Sequence, residues 1–340
     1  MKNNNIILCC ETCIYNNDKC LIYGQYRNIN IKTTLYKIIN YENTLLKFIW
    51  TKENNNFNEE NDIKNFEIVF SNKRPDFYLI LNEKLCYLKN KKCIFVFNNI
   101  IMEYQLKFPF ENLNLELNVN NSAIISTMIQ NYSNRIEEWI KYHLKLGFSA
   151  IILFENRSKY KDFLETKKII NKYKNKVLLI KFPYKSFVGK HWNSIQRLTL
   201  SISVNAFKNK CKFISLTDAD EFIYIPKNVL KLNIETFLKK YKRTICMSSY
   251  ILTNKLSNEQ FNNNVLEKAI YLGKEMYTKI IIHTNDVKNK NFIITPHEYK
   301  NQQVICKREL IHYHIWLNDR YKFNSNMKKI FRLNNFINKY

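Results

Sequence analysis

The chain has 340 residues, 46% of them hydrophobic, and a formal net charge of +25 from 54 Lys and Arg against 29 Asp and Glu. That length and apolar content suit one large or two smaller cored domains and exclude a disordered chain. No run of about 18 uncharged apolar residues occurs, which excludes a membrane-spanning helix of ordinary length.

The charge alone selects no partner. Lysines are spread along the whole chain, and Gly (4) and Pro (5) are scarce beside abundant Asn, Lys, Ile, Tyr and Phe, a skew that fits an AT-rich coding sequence. Basic residues clustered with interleaved aromatics, the footprint of a nucleic-acid module, are not found, so nucleic acid is not an expected partner. The N-terminal MKNNNIILCCETC carries an apolar patch of about five residues, below the roughly 7 to 15 of a signal peptide. The expected location is therefore cytoplasmic, and the basic surface suits peripheral contact with the anionic inner face of a membrane. The nine cysteines, an odd number, read as reduced thiols. Cys10, Cys13 and Cys20 stop one ligand short of a four-cysteine zinc site unless Cys86 or Cys93 folds back.

Residues 1–120 read as a β-rich N-terminal accessory region. Short β-type runs such as FYLIL (77–81) and KCIFVF (92–97) are separated by Asn- and Lys-rich turns, the pattern of a small antiparallel sheet or sandwich. The remainder, 121–340, alternates strand and helix. A strand is predicted over 122–129, ending in the polar Gln130 and Asn131. A helix follows over about 134–146, with Asn134 as N-cap and Gly147 as its stop. Ile136, Trp139, Ile140, His143 and Leu144 recur at helical spacing, so that face packs on a sheet and His143 reads as a core histidine. Strands over 149–155, 176–182 and 212–217 alternate with helices over about 160–174 and 192–209. Alternation of this kind specifies a parallel sheet with right-handed crossovers, whose ligands bind beyond the carboxyl ends of the strands. Neither GxGxxG nor GxxxxGK[ST] is present, so a phosphate has to be held by a metal or by basic side chains.

The last of these strands runs into TDADEF, where Asp218, Asp220 and Glu221 crowd three carboxylates at an apolar edge. Like charges this close call for water or a cation. Asp218 and Asp220, at i and i+2, point the same way in extended chain and can converge on one ion, with Mn²⁺ or Mg²⁺ the suitable kinds. An EF-hand fails, because Ile223 and Val229 stand where its Gly and Glu belong.

TDADEF resembles the DxDEF segment of glycosyltransferase family 92 and related family-2-like glycosyltransferases. MIQNYSNRIEEWIKYHLKLGFSAIILFENRS resembles their first strand, E-W-x-x-Y-H helix and second strand, and HYHIWLNDRYKFNSNMKKI is similar to their H-Y segment with its basic amphipathic helix. The three motifs lie in family order from about Ser122 to Ile330. The resemblance implies a GT-A-type, Rossmann-like α/β fold whose mostly parallel sheet is flanked by helices. It implies a metal-dependent, inverting transfer from a nucleotide sugar, UDP-linked by analogy, to a glycan, glycolipid or glycoprotein hydroxyl.

Carried over residue by residue, the resemblance makes Asp220 the firmer metal ligand and puts Asp218 nearer the donor ribose or a metal-bound water. His312 is a further ligand, with His314 sharing its strand face. Asn131, Glu155, Asn156, Gln196 and Lys279 are expected around the donor. Glu221, Glu275 and Asp286 are the unranked candidates for the base that takes the acceptor's proton. Two departures are evident: Glu155 stands for the family's Asp, and Tyr132 for its acid after Asn131. They keep open a degenerate domain used for carbohydrate or nucleotide binding. A metal-dependent nucleotidyltransferase is the other alternative.

Overall fold

The computed structural model describes residues 119–120, 122–183, 191–208, 210–225, 233–253, 266, 271–287, 295–299, 302–305, 309–315 and 328–329. Before these it describes the backbone of seven strands between 13 and 105. The chain divides into two compact units, one of residues 1–113, 184–206 and 290–294, the other of 114–183, 207–289 and 295–340.

In the first unit, β1 (Cys13–Asn16), β2 (Lys19–Gln25), β5 (Asp76–Leu81) and β4 (Phe66–Phe70) form an antiparallel sheet in that order. The strands β3 (Leu46–Thr51), β6 (Lys92–Phe97) and β7 (Ile100–Gln105) form another. The two runs picked out from sequence are therefore strands β5 and β6. The thiols at Cys10, Cys13, Cys20, Cys86 and Cys93 lie outside the described residues. Cys211 and Cys246, which are described, are buried free thiols.

The second unit is the expected α/β layer structure. Four strands run parallel: β10 (Val177–Lys181), β9 (Ala150–Glu155), β8 (Ala123–Ile129) and β11 (Phe213–Leu216). Every residue of β8, β9 and β11 is buried, which is why they read as continuous apolar runs rather than alternating ones. The sheet continues through β14 (Tyr271–His283), antiparallel to β11, then β13 (Ile245–Thr253), β16 (Ile311–Ile315) and β12 (Glu221–Tyr224) at the edge. Two-residue strands β15 (Gln303–Val304) and β17 (Lys328–Lys329) pair beside β13 and β14. Flanked by helices, this mixed and mostly parallel sheet is a GT-A-type, Rossmann-like arrangement.

The helix α1 (Ser133–Leu146) buries Ile136, Trp139, Ile140, Tyr142, His143 and Leu146. Gly147 ends it in the left-handed region, φ 104°, and its N–H reaches back to the carbonyls of His143 and Leu144. The start differs from expectation: Asn134 lies inside the helix, and Asp162 caps it from α2 (Tyr160–Asn171) by accepting from the N–H groups of Tyr132 and Ser133 at 3.1 Å each. A long-range cap of this kind leaves no signature next to the helix it caps. The remaining helices are α3 (His191–Phe207), nearly all of it in the first unit, and the short α4 (Ile234–Leu238). No helix among the described residues is long and apolar enough to cross a membrane.

Candidate active site

The carboxyl ends of β8, β9, β10 and β11 lie along one edge of the sheet, and the acidic segment leaves β11 there. A turn closed by Glu221 N–H donating to the Asp218 carbonyl, 3.1 Å, reverses the chain into β12. Asp220 O accepts from Ile315 N–H at 2.9 Å, so this side of β12 faces β16. The carbonyls of Glu221 and Ile223 consequently point off the free edge, and α1 meets both. The Trp139 indole N–H donates to Glu221 O at 2.8 Å, and the Tyr142 hydroxyl donates to Ile223 O at 2.7 Å. Two side chains three residues apart on one helix face thus dock the strand that carries the acids.

Glu221 is the buried centre of the cluster, 1% exposed. Its Oε1 lies 3.0 Å from Lys279 Nζ and 3.5 Å from His314 Nδ1, while Oε2 lies 3.0 Å from His312 Nε2 and accepts from Asp218 N–H at 2.7 Å. Burial by itself would raise its pKa, but His312, Lys279 and His314 together hold the carboxyl well below the usual range. Lys279, on β14, also meets Asp218 Oδ2 at 3.1 Å. Burial works against its charge, yet Asp218 and Glu221 outweigh that and push its pKa up. Lys279, which the resemblance put near the donor, is 2% exposed and paired twice. Asp218 is pushed up to about 6, by burial first and by the neighbouring Glu221 charge next.

His312 and His314, two apart on β16, both turn to the acids. His312 is fully buried; its Nδ1 is 2.8 Å from Ser249 Oγ, and its Nε2 lies 3.0 Å from Glu221 Oε2. Burial lowers its pKa despite Glu221. His314 Nε2 stands 3.2 Å from Asp220 Oδ2. Burial lowers its pKa as well, but Asp220 and then Glu221 outweigh it and carry the value up to about 9.

One ligand atom from each of Asp220, Glu221 and His314 can be chosen so that all lie within 4.8 Å of one another. Two carboxylate oxygens and an imidazole suit Mn²⁺ or Mg²⁺, so these residues fit a divalent ion. Of the three ligands expected from sequence, only Asp220 belongs to this group. Asp218 is turned to Lys279, and His312 lies behind Glu221 with its other nitrogen on Ser249. His314 is the residue that the match to H-Y passed over; the i, i+2 spacing was the signal that included it.

Three of the expected donor residues, Asn131, Glu155 and Asn156, lie at neighbouring strand ends. Asn131, φ 51°, donates from its N–H to Ser158 Oγ, and its Oδ1 accepts from Lys159 N–H, both at 2.8 Å. Glu155 is buried at the end of β9 and accepts from Ser158 N–H at 2.6 Å. Asn156, also buried, donates to Phe182 O at 2.7 Å. Asn131 ties the turn after β8 to that after β9, Glu155 braces the latter from within, and Asn156 ties it to the end of β10. Gln196 is buried on α3, within the other compact unit.

Two of the expected bases are not brought here. Glu275 is exposed on β14, four residues from Lys279 and opposite Tyr250, about 13 Å along an extended strand. Asp286 lies beyond the amino end of β11, where its carboxylate accepts from Thr244 N–H at 2.6 Å and Thr284 N–H bonds Lys212 O. Glu221 is present but enclosed. His143 is fully buried, as expected of a core histidine, with its ring 5.7 Å from that of Phe222.

No protein-family model matches the chain, and no curated protein does. Among solved structures, the mannosyltransferase PcManGT from Pyrobaculum calidifontis, in complex with GDP-Man and Mn²⁺, aligns at 12% identity and a TM-score of 0.26. That alignment covers 48% of this chain and 45% of the other. A mycobacterial protein aligns at 10% identity and a TM-score of 0.28, over 54% of this chain and 60% of that one. Both alignments take in under two thirds of the other chain, and likeness this loose carries no argument. The resemblance to family 92 rests on the three sequence motifs.

Proposed function

We propose that this chain is a metal-dependent glycosyltransferase that moves a sugar, with inversion, from a nucleotide-sugar donor, a UDP-sugar by analogy, to a hydroxyl of a glycan, glycolipid or glycoprotein. The observation that carries the reading is the gathering of Asp218, Asp220, Glu221, Lys279 and His314 at the carboxyl edge of the parallel strands. The family resemblance supplies the reaction class. Asp220, Glu221 and His314 would hold Mn²⁺ or Mg²⁺, which when bound supplies positive charge to a diphosphate leaving group.

The chain's own groups do the positioning. Lys279 holds a fixed positive charge beside Asp218, and Glu221 holds Lys279 and the Asp218 N–H in register. Buried and paired with Lys279 and His312, Glu221 has an orienting and metal-holding role rather than that of proton acceptor. Asn131, Glu155 and Asn156 shape the strand-end turns over which the nucleotide would lie.

A second reading, a carbohydrate- or nucleotide-binding module without turnover, draws on the ion pair by which Lys279 already neutralises Asp218. Incubation with UDP-sugars, or with nucleoside triphosphates, in the presence of Mn²⁺ separates the possibilities. Release of UDP that stops on chelation supports transfer. Pyrophosphate release from a nucleoside triphosphate, with UDP-sugars untouched, would establish nucleotidyl transfer instead.

A further inference from the structure

Among the described residues Arg135, in the first turn of α1, has no carboxylate as counter-charge, and the side chain it interacts with is that of Tyr132. Its Nε is buried and has no hydrogen-bond partner among the described residues. The Tyr132 ring centroid lies 6.0 Å from the guanidinium carbon. Both residues line a recess at the sheet's carboxyl edge together with Glu138, Asp220, Phe222 and Ile315.

The other polar groups around this recess are already engaged. Asp220 Oδ2 faces His314 at 3.2 Å, and Glu138 Oε1 accepts from Leu266 N–H at 3.1 Å. The N–H groups of Tyr132 and Ser133 at the helix start are held by Asp162. The guanidinium is what the recess offers to an incoming group. A buried donor left unpaired costs stability, and an arginine fork matches two phosphate oxygens at once.

We propose that Arg135 binds a phosphate group of a ligand lying over the mouth of this shallow recess, beside Asp220. Taking that phosphate to be the donor's diphosphate or a phosphate on the acceptor rests on the transferase reading above; the guanidinium site itself does not.

The test is calorimetric titration of the full chain and of Arg135→Gln, with UDP plus Mn²⁺ and separately with glycerol phosphate without metal. Arg135→Gln is expected to lose at least about tenfold in affinity, the scale of a lost charge-assisted hydrogen bond, and Arg135→Lys to regain part of it. Loss confined to UDP assigns the donor's diphosphate; loss on glycerol phosphate assigns a separate phosphate site. Unliganded Arg135→Gln should melt at the wild-type temperature or above it. Unchanged affinity for both ligands overturns the proposal, as does a fall in melting temperature that Arg135→Lys does not repair. If the wild type binds glycerol phosphate through Arg135 but no UDP, the transferase reading falls and the phosphate site stands. If it binds neither, both fall.

Discussion

Lys279 shows how one residue's environment can reverse what its type suggests. Among 54 basic residues it is one that gives up almost all its water, and two carboxylates within 3.1 Å make that tolerable. Removing one member of a buried pair leaves the other uncompensated, so Lys279→Met should destabilise the fold by about 3 kcal/mol. Urea denaturation reads this directly, and a change under about 0.5 kcal/mol would match an exposed lysine instead. His143 makes the opposite case, since burial takes its pKa down to about 3. As pH falls below about 6.5, the unfolded chain takes up a proton that the native state refuses until about pH 3, so native stability falls in that window. The slope from this one group is about 1.4 kcal/mol per pH unit. In His143→Phe, which keeps the aromatic packing, the slope should lessen by one proton; an unchanged slope between pH 6 and 4 would remove His143 as its source.

At the scale of elements, the site depends on how α1 meets the edge strand. Trp139→Phe keeps most of the apolar volume but leaves the Glu221 carbonyl without its indole donor, a loss of about 1–3 kcal/mol if that carbonyl stays dry. Because that carbonyl belongs to the acidic residue itself, the variant should also weaken Mn²⁺ binding, which calorimetry with the metal alone would measure. Stability lost without any change in metal affinity would make Trp139 a packing residue only. Gly147 fixes the other end of the helix. A Cβ there would come within 2.7 Å of the Asn233 side chain, at a φ of 104° that L-residues rarely adopt. Gly147→Ala should therefore lower the melting temperature by several degrees; a wild-type melt would mean that Asn233, which caps α4 through Thr236 N–H, moves aside at little cost.

The α1 face and the αL stop were legible in the sequence because both are local signals: apolar spacing and a glycine. The Asp162 cap and the two edge-strand hydrogen bonds were not, since they join residues 29 to 82 positions apart.

For the molecule as a whole, the four parallel strands and their place in one sheet followed from the strand–helix alternation. The antiparallel half did not, because β14 inserts beside β11 from nearly seventy residues downstream and no periodicity announces that pairing. The same limit applied to the site. The acids stood out as a cluster in one strand end, but which histidine faces Asp220 depends on the register of β16 against β12, where Glu221 pairs with His314 and Ile223 with His312. Arg135 lacked a local signal altogether, since the absence of a carboxylate partner among the described residues shows only in three dimensions. The measurement that bears most directly on the account is calorimetric titration of the full chain with UDP, with and without Mn²⁺, beside Asp220→Ala. The account predicts binding that requires the metal and is lost in the variant while its melting temperature is kept. Well-folded wild-type protein that binds no UDP in the presence of Mn²⁺ would contradict it.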